Sequence, residues 1–247
     1  MDRLVYTALS GLRSQMQAQA SIANNIANAS TVGYRADRVT FDRMVLNGSQ
    51  FNTRQMAAEE TSDADRTAGT IFQTGRPLDV AVTDDSWIAV QATDGTEAYT
   101  RRGDLSVAPS GVLETGDGFP VMGSGGPITV PPHQSITVAD DGTVSIVPPG
   151  GDPGAPQVLD RIKLASPKGS TTVKGLDNLL HVKGGGALPA DMDATVESGA
   201  LEQSNVNLTQ ALVDMIENQR SYEVQANLLK EAKTMDESTA SLMRLPQ

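Results

Sequence analysis

The stretch of sequence that decides the fold runs from Ile22 to Arg35 and reads IANNIANASTVGYR. It ends a helical pattern, because residues 2–28 contain no proline and a single glycine, and their apolar positions follow steps of three and four residues. Gly33 can adopt the left-handed backbone that often terminates a helix. The sequence therefore predicts an amphipathic helix over residues 2–28, about 40 Å long.

A second helical pattern occupies the other end of the chain. No glycine or proline interrupts residues 207–244, and Asn207 followed three residues later by Gln210 resembles a capping box. The apolar positions repeat at nearly 3.5 residues as far as Leu229, and a local change of phase then keeps the stripe apolar. We therefore expect a C-terminal helix about 55 Å long.

These two helices need a partner for their apolar stripes, because an isolated helix gains too little from propensity alone. We expect them to pack on each other as a coiled coil, and an ordinary helix pair within the chain is the alternative. The stripes are thin, since alanine, glutamine and methionine contribute much of them. Thin stripes suggest that neighbouring copies of the chain complete their burial.

The middle of the chain carries short β-rich runs separated by turn signals. The expected strands cover residues 78–82, 87–90, 128–130, 135–138, 143–147 and 162–164. Hairpin turns are indicated by the Asp-Gly and Ser-Gly pairs at residues 94–95, 110–111, 117–118 and 141–142. This spacing predicts an antiparallel sandwich or open barrel with Trp87, the single tryptophan, in its core. Proline and glycine in residues 148–157 predict a surface excursion.

Together these patterns predict an α+β protein in which long N- and C-terminal helices form a coiled coil and an antiparallel β-domain is inserted between them. Residues 1–35 would supply the N-terminal helix of this discontinuous coiled-coil domain, and residues 36–72 an extended connector. Residues 73–200 would form the inserted β-domain, and residues 201–247 the C-terminal helix of the coiled-coil domain.

Composition excludes several classes of function. The chain has 19 Lys plus Arg against 30 Asp plus Glu, and its formal net charge of −11 argues against binding of nucleic acid or of an anionic membrane surface. Nearly all of this charge, about −10, lies between residues 44 and 200, so the two ends are close to balance. The absence of cysteine excludes disulfides, a catalytic thiol and cysteine-ligated metal.

Motifs for catalysis, cofactors or metals are missing from the sequence. It contains neither a Gly-x-x-x-x-Gly-Lys-Ser/Thr phosphate loop nor a Gly-x-Ser-x-Gly nucleophile elbow. Asp141 and Gly142 fit a hairpin turn better than a calcium loop. Neither His133 nor His181 has an acid and a nucleophile nearby in sequence. We therefore expect no catalytic, cofactor-binding or metal-binding residues, although a pair of distant acids that meets in space would leave no trace in the sequence.

The first residues, from Met1 to Leu4, lack the basic segment and long apolar run of a cleavable secretory signal. No stretch approaches the 18 consecutive apolar residues of a spanning helix, so we expect no membrane insertion. Composition by itself would favour a cytosolic protein.

Both ends of the chain resemble one protein family. Residues 22–35 closely resemble the N-terminal signature of bacterial flagellar rod, hook and hook-associated axial proteins, which is an Ala-Asn-Asn-hydrophobic-Ala-Asn core followed by Thr-x-Gly-aromatic. Residues 204–208 and 215–223 resemble the C-terminal motif of the same family. Because asparagine is a poor helix former, its repeated use suggests side-chain hydrogen bonds at a packed contact.

The middle of the chain narrows the resemblance to the basal-body rod proteins. Residues 74–82, TGRPLDVAV, are similar to a Thr-Gly-x-Pro-Leu-Asp-Val-Ala element of these proteins, which residues 87–91, 98–103 and 126–131 continue. The opening residues and the length of 247 are most similar to the proximal rod protein of the family, with a distal rod or hook-type protein as the alternative. Arg102 departs from the family, which often has Asp or Asn there, and the departure concerns one turn.

The resemblance implies a structural subunit and not an enzyme. The terminal helices would form the inner coiled-coil layer of the hollow rod, and the β-domain would form its outer layer. The implied partners are other rod proteins, copies of the chain itself and the flagellar type III export apparatus. The chain would reach the periplasmic basal-body rod unfolded and without a cleavable signal peptide, and the rod would transmit torque across the periplasm.

The resemblance and the helical stripes place the assembly interface on the terminal helices and their ends. Its expected apolar members are Leu9, Leu12, Met16, Ile22, Ile26, Leu208, Leu212, Met215, Tyr222 and Leu229. Its expected polar members are Asn24, Asn25, Asn28, Asn205, Asn207, Gln219 and Arg220. A rival from another class of function is a β-domain that binds or cleaves a cell-wall polymer, because peptidoglycan lies along the path of a rod; an acid pair in a cleft would favour it.

Overall fold

The structure is a computed structural model, which describes residues 2–38, 42–45, 55–58 and 63–242. The predicted α+β class is confirmed, with helices at both ends and a middle rich in antiparallel sheet. The chain divides into two compact units. The first, here called the helical unit, takes the described residues within 1–27, 37–62 and 207–247, and the second, the β unit, takes residues 28–36 and 63–206.

The two terminal helices are α1 (Asp2–Ala27) and α2 (Leu208–Leu242). Gly33 follows α1 with a φ of 68°, so the left-handed conformation expected of this glycine is confirmed. Asn207 caps α2, since its side-chain oxygen accepts the Gln210 N–H at 3.1 Å and its carbonyl accepts the first intrahelical bond. The predicted helical residues 243–244 lie outside the described residues.

Strands make up most of the remaining regular structure. In chain order they are β1 (Asp37–Arg38), β2 (Asp42–Val45), β3 (Gln55–Ala58), β4 (Asp63–Ala64), β5 (Ile71–Gln73), β6 (Val80–Val82), β7 (Trp87–Gln91), β8 (Glu97–Thr100), β9 (Ser106–Val107), β10 (Leu113–Glu114), β11 (Ser135–Val138), β12 (Thr143–Val147), β13 (Gln157–Arg161), β14 (Leu164–Ala165), β15 (Thr172–Lys174), β16 (Leu180–Val182), β17 (Val196–Ser198) and β18 (Ala200–Glu202). The expected strands 135–138 and 143–147 are confirmed as β11 and β12, the expected strand 87–90 lies within β7, and the expected run 78–82 contains the shorter β6.

Within the β unit the strands form several antiparallel sheets. The largest has the order β14-β7-β8-β16-β15, and a second has the order β11-β12-β13. Two-stranded ribbons pair β9 with β10, β6 with β17 and β5 with β18. An arrangement of these sheets as a sandwich or open barrel stays a prediction. In the helical unit, β2 and β3 pair within the region expected to be an extended connector, whose residues 39–41, 46–54 and 59–62 lie outside the described residues.

Proline and turn geometry explain where the expected strands and the observed ones differ. Residues 128–130 form only isolated bridges, because Pro127 and Pro131 on either side have no N–H to donate to a ladder. The run at 162–164 marks the place where the chain passes from β13 to β14 and changes sheet. Asp141 and Gly142 form the hairpin turn between β11 and β12, as predicted, with a φ of 84° at the glycine.

The β unit has a continuous apolar core. Its buried members come from β6, β7, β8, β10, β11, β12, β14 and β17 and from the turns between strands, and those that are 0% exposed are Val80, Ile88, Val90, Ala98, Leu105, Leu113, Val121 and Val144. A second cluster surrounds Trp87, which is 4% exposed and packs with Ala89, Tyr99 and Leu180. The prediction that the single tryptophan is a core residue of the β region is thus confirmed.

Tyr99 links this second cluster to a half-buried ion pair. Its hydroxyl donates to Glu97 Oε1 at 2.7 Å and accepts the Leu188 N–H at 2.5 Å. Lys163 Nζ lies 2.7 and 2.8 Å from the two oxygens of the same glutamate. Burial raises the pKa of Tyr99 well above its ordinary value, and the negative charge of Glu97 adds to the increase, so the phenol stays protonated in the folded chain.

This raised pKa predicts that Tyr99→Phe flattens the alkaline part of the stability profile. The tyrosine of the unfolded chain ionises near pH 10 and that of the folded chain does not, so the stability contributed below pH 10 is lost above it, by about 1.4 kcal/mol per pH unit. The variant should be about 1–2 kcal/mol less stable at pH 7, because the Leu188 N–H loses its acceptor, and should then decline less steeply. Urea unfolding between pH 7 and 11 measures both effects. Tyr222→Phe, at an exposed tyrosine, should keep the wild-type decline; parallel profiles for Tyr99→Phe and wild type would contradict the assignment.

Candidate assembly surface

Polar side chains form hydrogen bonds between α1 and α2. Asn218 Nδ2 donates to the Gln15 carbonyl at 3.0 Å and to Gln19 Oε1 at 2.7 Å. Gln15 Nε2 donates in turn to Ser221 Oγ at 2.5 Å. We call this set of hydrogen bonds the amide seam; it lies among half-buried apolar residues, and the coiled-coil packing of the two helices stays a prediction.

The two helices run antiparallel. As the residue number rises along α1 from Gly11 to Gln19, the partner on α2 falls from Gln225 to Asn218. Gly11 permits the close approach at one end, since a Cβ added there would lie 3.1 Å from Gln225 Oε1. Beside this seam lies a groove of about 450 Å³. Its lining residues are Gln15, Met16, Gln19, Asn218, Gln219, Tyr222 and Glu223.

The amide seam leaves much of the apolar surface of both helices exposed. On α1, Leu9 is 40% and Met16 60% exposed. On α2 the exposed apolar residues are Leu208, Leu212, Val213, Ile216, Tyr222, Val224, Leu228 and Met235. The α2 positions fall on several sides of the helix, because successive residues on a helix are about 100° apart. More than one face of α2 thus lacks apolar cover within the helical unit.

The predicted apolar interface residues divide into two groups. Five are half-buried, namely Leu12, Ile22, Ile26, Met215 and Leu229. Five are exposed, namely Leu9, Met16, Leu208, Leu212 and Tyr222. The half-buried positions follow the side of each helix that carries the Asn218 hydrogen bonds, and Tyr222 lines the groove on the same side although it is exposed. The stripes read from the sequence are therefore shared between the internal contact and the open surface.

Asn25 has a structural role at the end of α1. Its Nδ2 donates to the Asp37 carbonyl at 3.0 Å, and its Oδ1 accepts the Asp37 N–H at 2.7 Å. The side chain thereby binds a strand backbone as another strand would. Asn28 accepts the Thr31 hydroxyl at 3.1 Å and helps to form the turn that follows the helix. The side chains of Asn24, Gln219 and Arg220 are exposed, and Gln219 also bonds Glu223 at 3.4 Å.

Asn205 plays a similar part in the β unit. Its Oδ1 accepts the Ala36 N–H at 2.7 Å, and its Nδ2 donates to the carbonyls of Asp65 and Thr67, each at 3.0 Å. The Asn205 N–H donates to the Tyr34 carbonyl at 3.3 Å. The Asn-rich motifs hence satisfy main-chain groups where the chain enters and leaves regular structure, which is the hydrogen bonding that the sequence suggested, made here within one chain.

A buried charge cluster lies next to these segments in the β unit. Arg35 Nη2 lies 2.6 Å from Glu202 Oε1, and Arg101 Nη1 lies 3.3 Å from Glu202 Oε2. All three side chains are 3% exposed or less. The guanidinium carbons of the two arginines lie 5.7 and 5.5 Å from the centroid of the Trp87 ring, which is cation–π distance.

Burial lowers the pKa of Arg101, and the positive charge of Arg35 acts in the same direction, whereas Glu202 opposes both. Among the described residues, Arg35 Nε and Nη1 and Arg101 Nε have no hydrogen-bond acceptor. Glu202 and the Trp87 ring therefore provide much of the compensation for the two buried cations. We refer to Arg35, Arg101, Glu202 and Trp87 as the arginine cluster.

Sequence reasoning missed both the amide seam and the arginine cluster. Gln15 and Gln19 lie among the apolar positions of α1, and the helical pattern gives no sign that they hydrogen-bond to α2. Arg35 and Arg101 both belong to recognised motifs, but Glu202 lies in a segment that was assigned to the C-terminal helix and is instead strand β18. The local sequence gives no signal that residues 167 positions apart form an ion pair.

The β unit also has an open cleft of about 590 Å³, lined in part by Glu97, Lys163 and Asp191. Both carboxylates are engaged, since Glu97 holds Lys163 and Tyr99 while Asp191 accepts the Ser86 hydroxyl at 3.1 Å. The search of the described residues finds no group of three or more His, Cys, Asp or Glu side chains suited to a metal ion. None of the helices in the described part of the chain has both the length and the hydropathy needed to cross a membrane.

Comparison with known protein families gives matches to three family models. Residues 5–35 match the model described as flagella basal body rod protein, and residues 81–146 match the D1 domain of the flagellar hook protein FlgE/F/G. Residues 197–242 match the flagellar basal body rod FlgEFG protein C-terminal model. The matched regions cover α1, much of the β unit and α2.

Individual relatives are similar over nearly their whole length. The flagellar basal-body rod protein FlgF of Salmonella typhimurium is 40% identical over 235 residues, which is 93% of each chain. FlgF of Caulobacter vibrioides is 34% identical over 261 residues, covering 99% of this chain and 96% of the relative. The flagellar basal-body rod protein FlgG of Bacillus subtilis is 32% identical over 266 residues, 99% of each chain.

Proposed function

The chain belongs to the bacterial flagellar basal-body rod proteins, and on that premise we propose that it is a structural subunit of the proximal rod that assembles through its terminal helices. One observation supports assembly through the helices. The internal contact of the helical unit includes amide hydrogen bonds and only half-buries its apolar residues, whereas apolar side chains such as Leu212 and Ile216 stay exposed. Burying them against neighbouring subunits would supply the favourable free energy of assembly.

The distribution of these side chains supports contact with more than one neighbour. A helix that is apolar on one face is covered by a single partner, whereas a helix that is apolar on several sides needs several. On α2, Leu212 and Val213 are adjacent in sequence and therefore point about 100° apart. In the assembled rod, we infer, α1 and α2 form coiled-coil packing with helices of adjacent subunits and make up its inner layer, while the β unit makes up its outer layer.

The comparisons support the proximal type of rod subunit. Identity to FlgF of Salmonella typhimurium is 40%, and identity to FlgG of Bacillus subtilis is 32%. A distal rod or hook-type protein of the same family is the alternative. Labelled electron microscopy of isolated basal bodies separates the two, because a proximal subunit would be labelled at the inner part of the rod and a distal one nearer to the hook.

The remaining partners and the location are proposed from the family. We infer that the chain contacts other rod proteins and copies of itself, and that the flagellar type III export apparatus carries it, unfolded, to the periplasmic rod without a cleavable signal peptide. The lack of cysteine suits such a route, since there are no disulfides to break. The role is mechanical, transmission of torque, and not enzymatic. No observation in the described cleft favours the cell-wall alternative, because its carboxylates are held by Lys163 and Ser86.

Deleting either terminal helix tests this assignment. A chain without residues 1–27, or one without residues 207–247, should lose incorporation into basal bodies and should support no swimming in a host strain that lacks its own copy. The β unit should remain folded in both, since its core draws on residues 78–196. Motility in soft agar, immunoblots of purified basal bodies and circular dichroism give the three readings. Swimming by either truncated chain would refute assembly through the helices.

A further inference from the structure

We propose that the ion pairs of Glu202 with Arg35 and Arg101 hold together the two segments that lead out of the β unit. These ion pairs can break, and the two segments can separate, while the core of the unit stays folded. We call this set of ion pairs the latch. The two segments are residues 33–36 and residues 202–205, here called the stem. The proposal goes beyond a structural role in the rod, because it gives the β unit a second state in which the stem is released.

The charges of the cluster explain why Glu202 is needed to close it. Arg35 and Arg101 are both buried and repel each other, and burying either cation alone costs several kcal/mol. Glu202 bonds both, and its Oε1 also accepts the Gly69 N–H at 2.6 Å. One carboxylate thus links Arg35, Arg101, which follows strand β8, and Gly69, which precedes strand β5. Without it, the two cations against Trp87 would lose the one carboxylate that bonds both of them, and Asp84 and Asp85 would act on Arg101 alone.

The same residue aligns the two halves of the stem. The Gly33 N–H donates to the Glu202 carbonyl at 2.7 Å, and the Asn205 N–H donates to the Tyr34 carbonyl at 3.3 Å. Asn205 Oδ1 accepts the Ala36 N–H, and Lys174 Nζ reaches the Arg35 carbonyl at 2.7 Å. The first three of these bonds join residues about 170 positions apart in sequence, and the Lys174 bond joins residues 139 positions apart. Release of the Glu202 side chain would therefore loosen a whole set of bonds together.

The apolar core of the β unit does not depend on the stem. Its main cluster is built from residues between Val80 and Val196, and neither stem segment contributes to it. Interior hydrogen bonds such as Leu113 N–H to the Ile128 carbonyl, 2.9 Å, and Val121 N–H to the Leu113 carbonyl, 2.8 Å, lie within that core. The geometry separates a charge-held stem from a core held by hydrophobic burial, which is the arrangement that permits local opening.

Hydrogen exchange of the full chain at increasing denaturant concentration tests the latch. The stem amides of Gly33, Ala36 and Asn205 should exchange at least ten-fold faster than the core amides of Leu113 and Val121. Their rates should depend weakly on denaturant, as expected for a local opening, whereas the core rates should depend strongly on it. If all five amides share one rate and one denaturant dependence, the stem opens only with global unfolding and the proposal is wrong. This measurement needs no substitution.

Glu202→Gln provides the second arm. Removing one partner of a buried charge network should lower the protection of the stem amides about a hundred- to a thousand-fold, while the core amides stay protected. Emission from Trp87, the single tryptophan, should change as the guanidinium groups leave its ring. Glu197→Gln, at a half-buried glutamate on β17, is the matched control and should leave stem exchange as in wild type. Unchanged stem protection in Glu202→Gln would overturn the latch.

Discussion

Leu212→Asp is expected to abolish incorporation into the rod while the free protein stays folded. The leucine is 46% exposed, so the substitution removes little packing within the chain and should change the free energy of unfolding by less than about 1 kcal/mol. In an assembled helix layer, however, the same position would bury an unpaired carboxylate. That costs about 3 kcal/mol or more at each copy, which corresponds to at least a hundred-fold loss in association. Soft-agar motility and immunoblots of purified basal bodies measure the effect.

Asn227→Asp is the matched control for this substitution. It adds the same negative charge to the same helix, at an exposed position that is already polar, and should therefore incorporate nearly as well as wild type. Ile216→Asp, at a residue that is 62% exposed, should behave like Leu212→Asp. Normal swimming by both apolar-to-acid variants would mean that this side of α2 faces solvent in the rod.

Gly33→Ala is expected to destabilise the β unit by about 2–5 kcal/mol. The glycine has a φ of 68°, which costs an alanine about 1–2 kcal/mol. A Cβ at this position would also overlap the main chain of Arg101 and Arg102, and relief of such an overlap typically costs a further 1–3 kcal/mol. Urea unfolding followed by Trp87 fluorescence reports the change, because the tryptophan lies in the same unit.

Gly118→Ala separates the two contributions. Gly118 has a φ of 84° and no atom within 4 Å of the added Cβ, so its replacement carries the conformational cost alone. It should cost about 1–2 kcal/mol, clearly less than Gly33→Ala. Equal losses for the two variants would show that the close approach of residues 101 and 102 to Gly33 contributes nothing to the β unit.

The helices were predictable from sequence because their signals are local. The signals are a lack of glycine and proline, an apolar period near 3.6 residues and the cap at Asn207, and each of them depends on residues close together in sequence. Helix α1 covers Asp2–Ala27 where residues 2–28 were expected, and α2 begins at Leu208, one residue after the expected start. Turns at Gly95 and Gly142 were predictable for the same reason, since each needs only its own backbone conformation.

The pairing of the strands could not be predicted from the sequence in the same way. β14 adds to β7 after some 70 intervening residues, and β18 pairs with β5 across the whole β unit. Short strands such as Leu164–Ala165 carry too few residues for a period-2 pattern, so only their tertiary contacts define them. Glu202 shows the same limit most clearly, because its neighbours in space come from distant parts of the sequence.

The candidate surface was predictable in composition but not in orientation. The sequence indicates which helix residues are apolar, and the family resemblance indicates that they meet other subunits. It does not show which side of α1 faces α2, because amide side chains such as Gln15 and Gln19 can also be buried at a helix contact once they are hydrogen-bonded.

The amide seam between Asn218, Gln15 and Gln19 affects how much apolar surface the helices leave exposed for binding. Two helices that covered each other's hydrocarbon completely would make a self-sufficient molecule with nothing to gain from a neighbour. When two amides bond each other in place of water, the net gain in free energy is small. Amides at the contact between α1 and α2 therefore leave the side chains of Leu212, Ile216 and similar residues exposed to water. If the chain assembles through its helices as proposed, growth of the rod would bury these side chains, which the isolated subunit leaves in water.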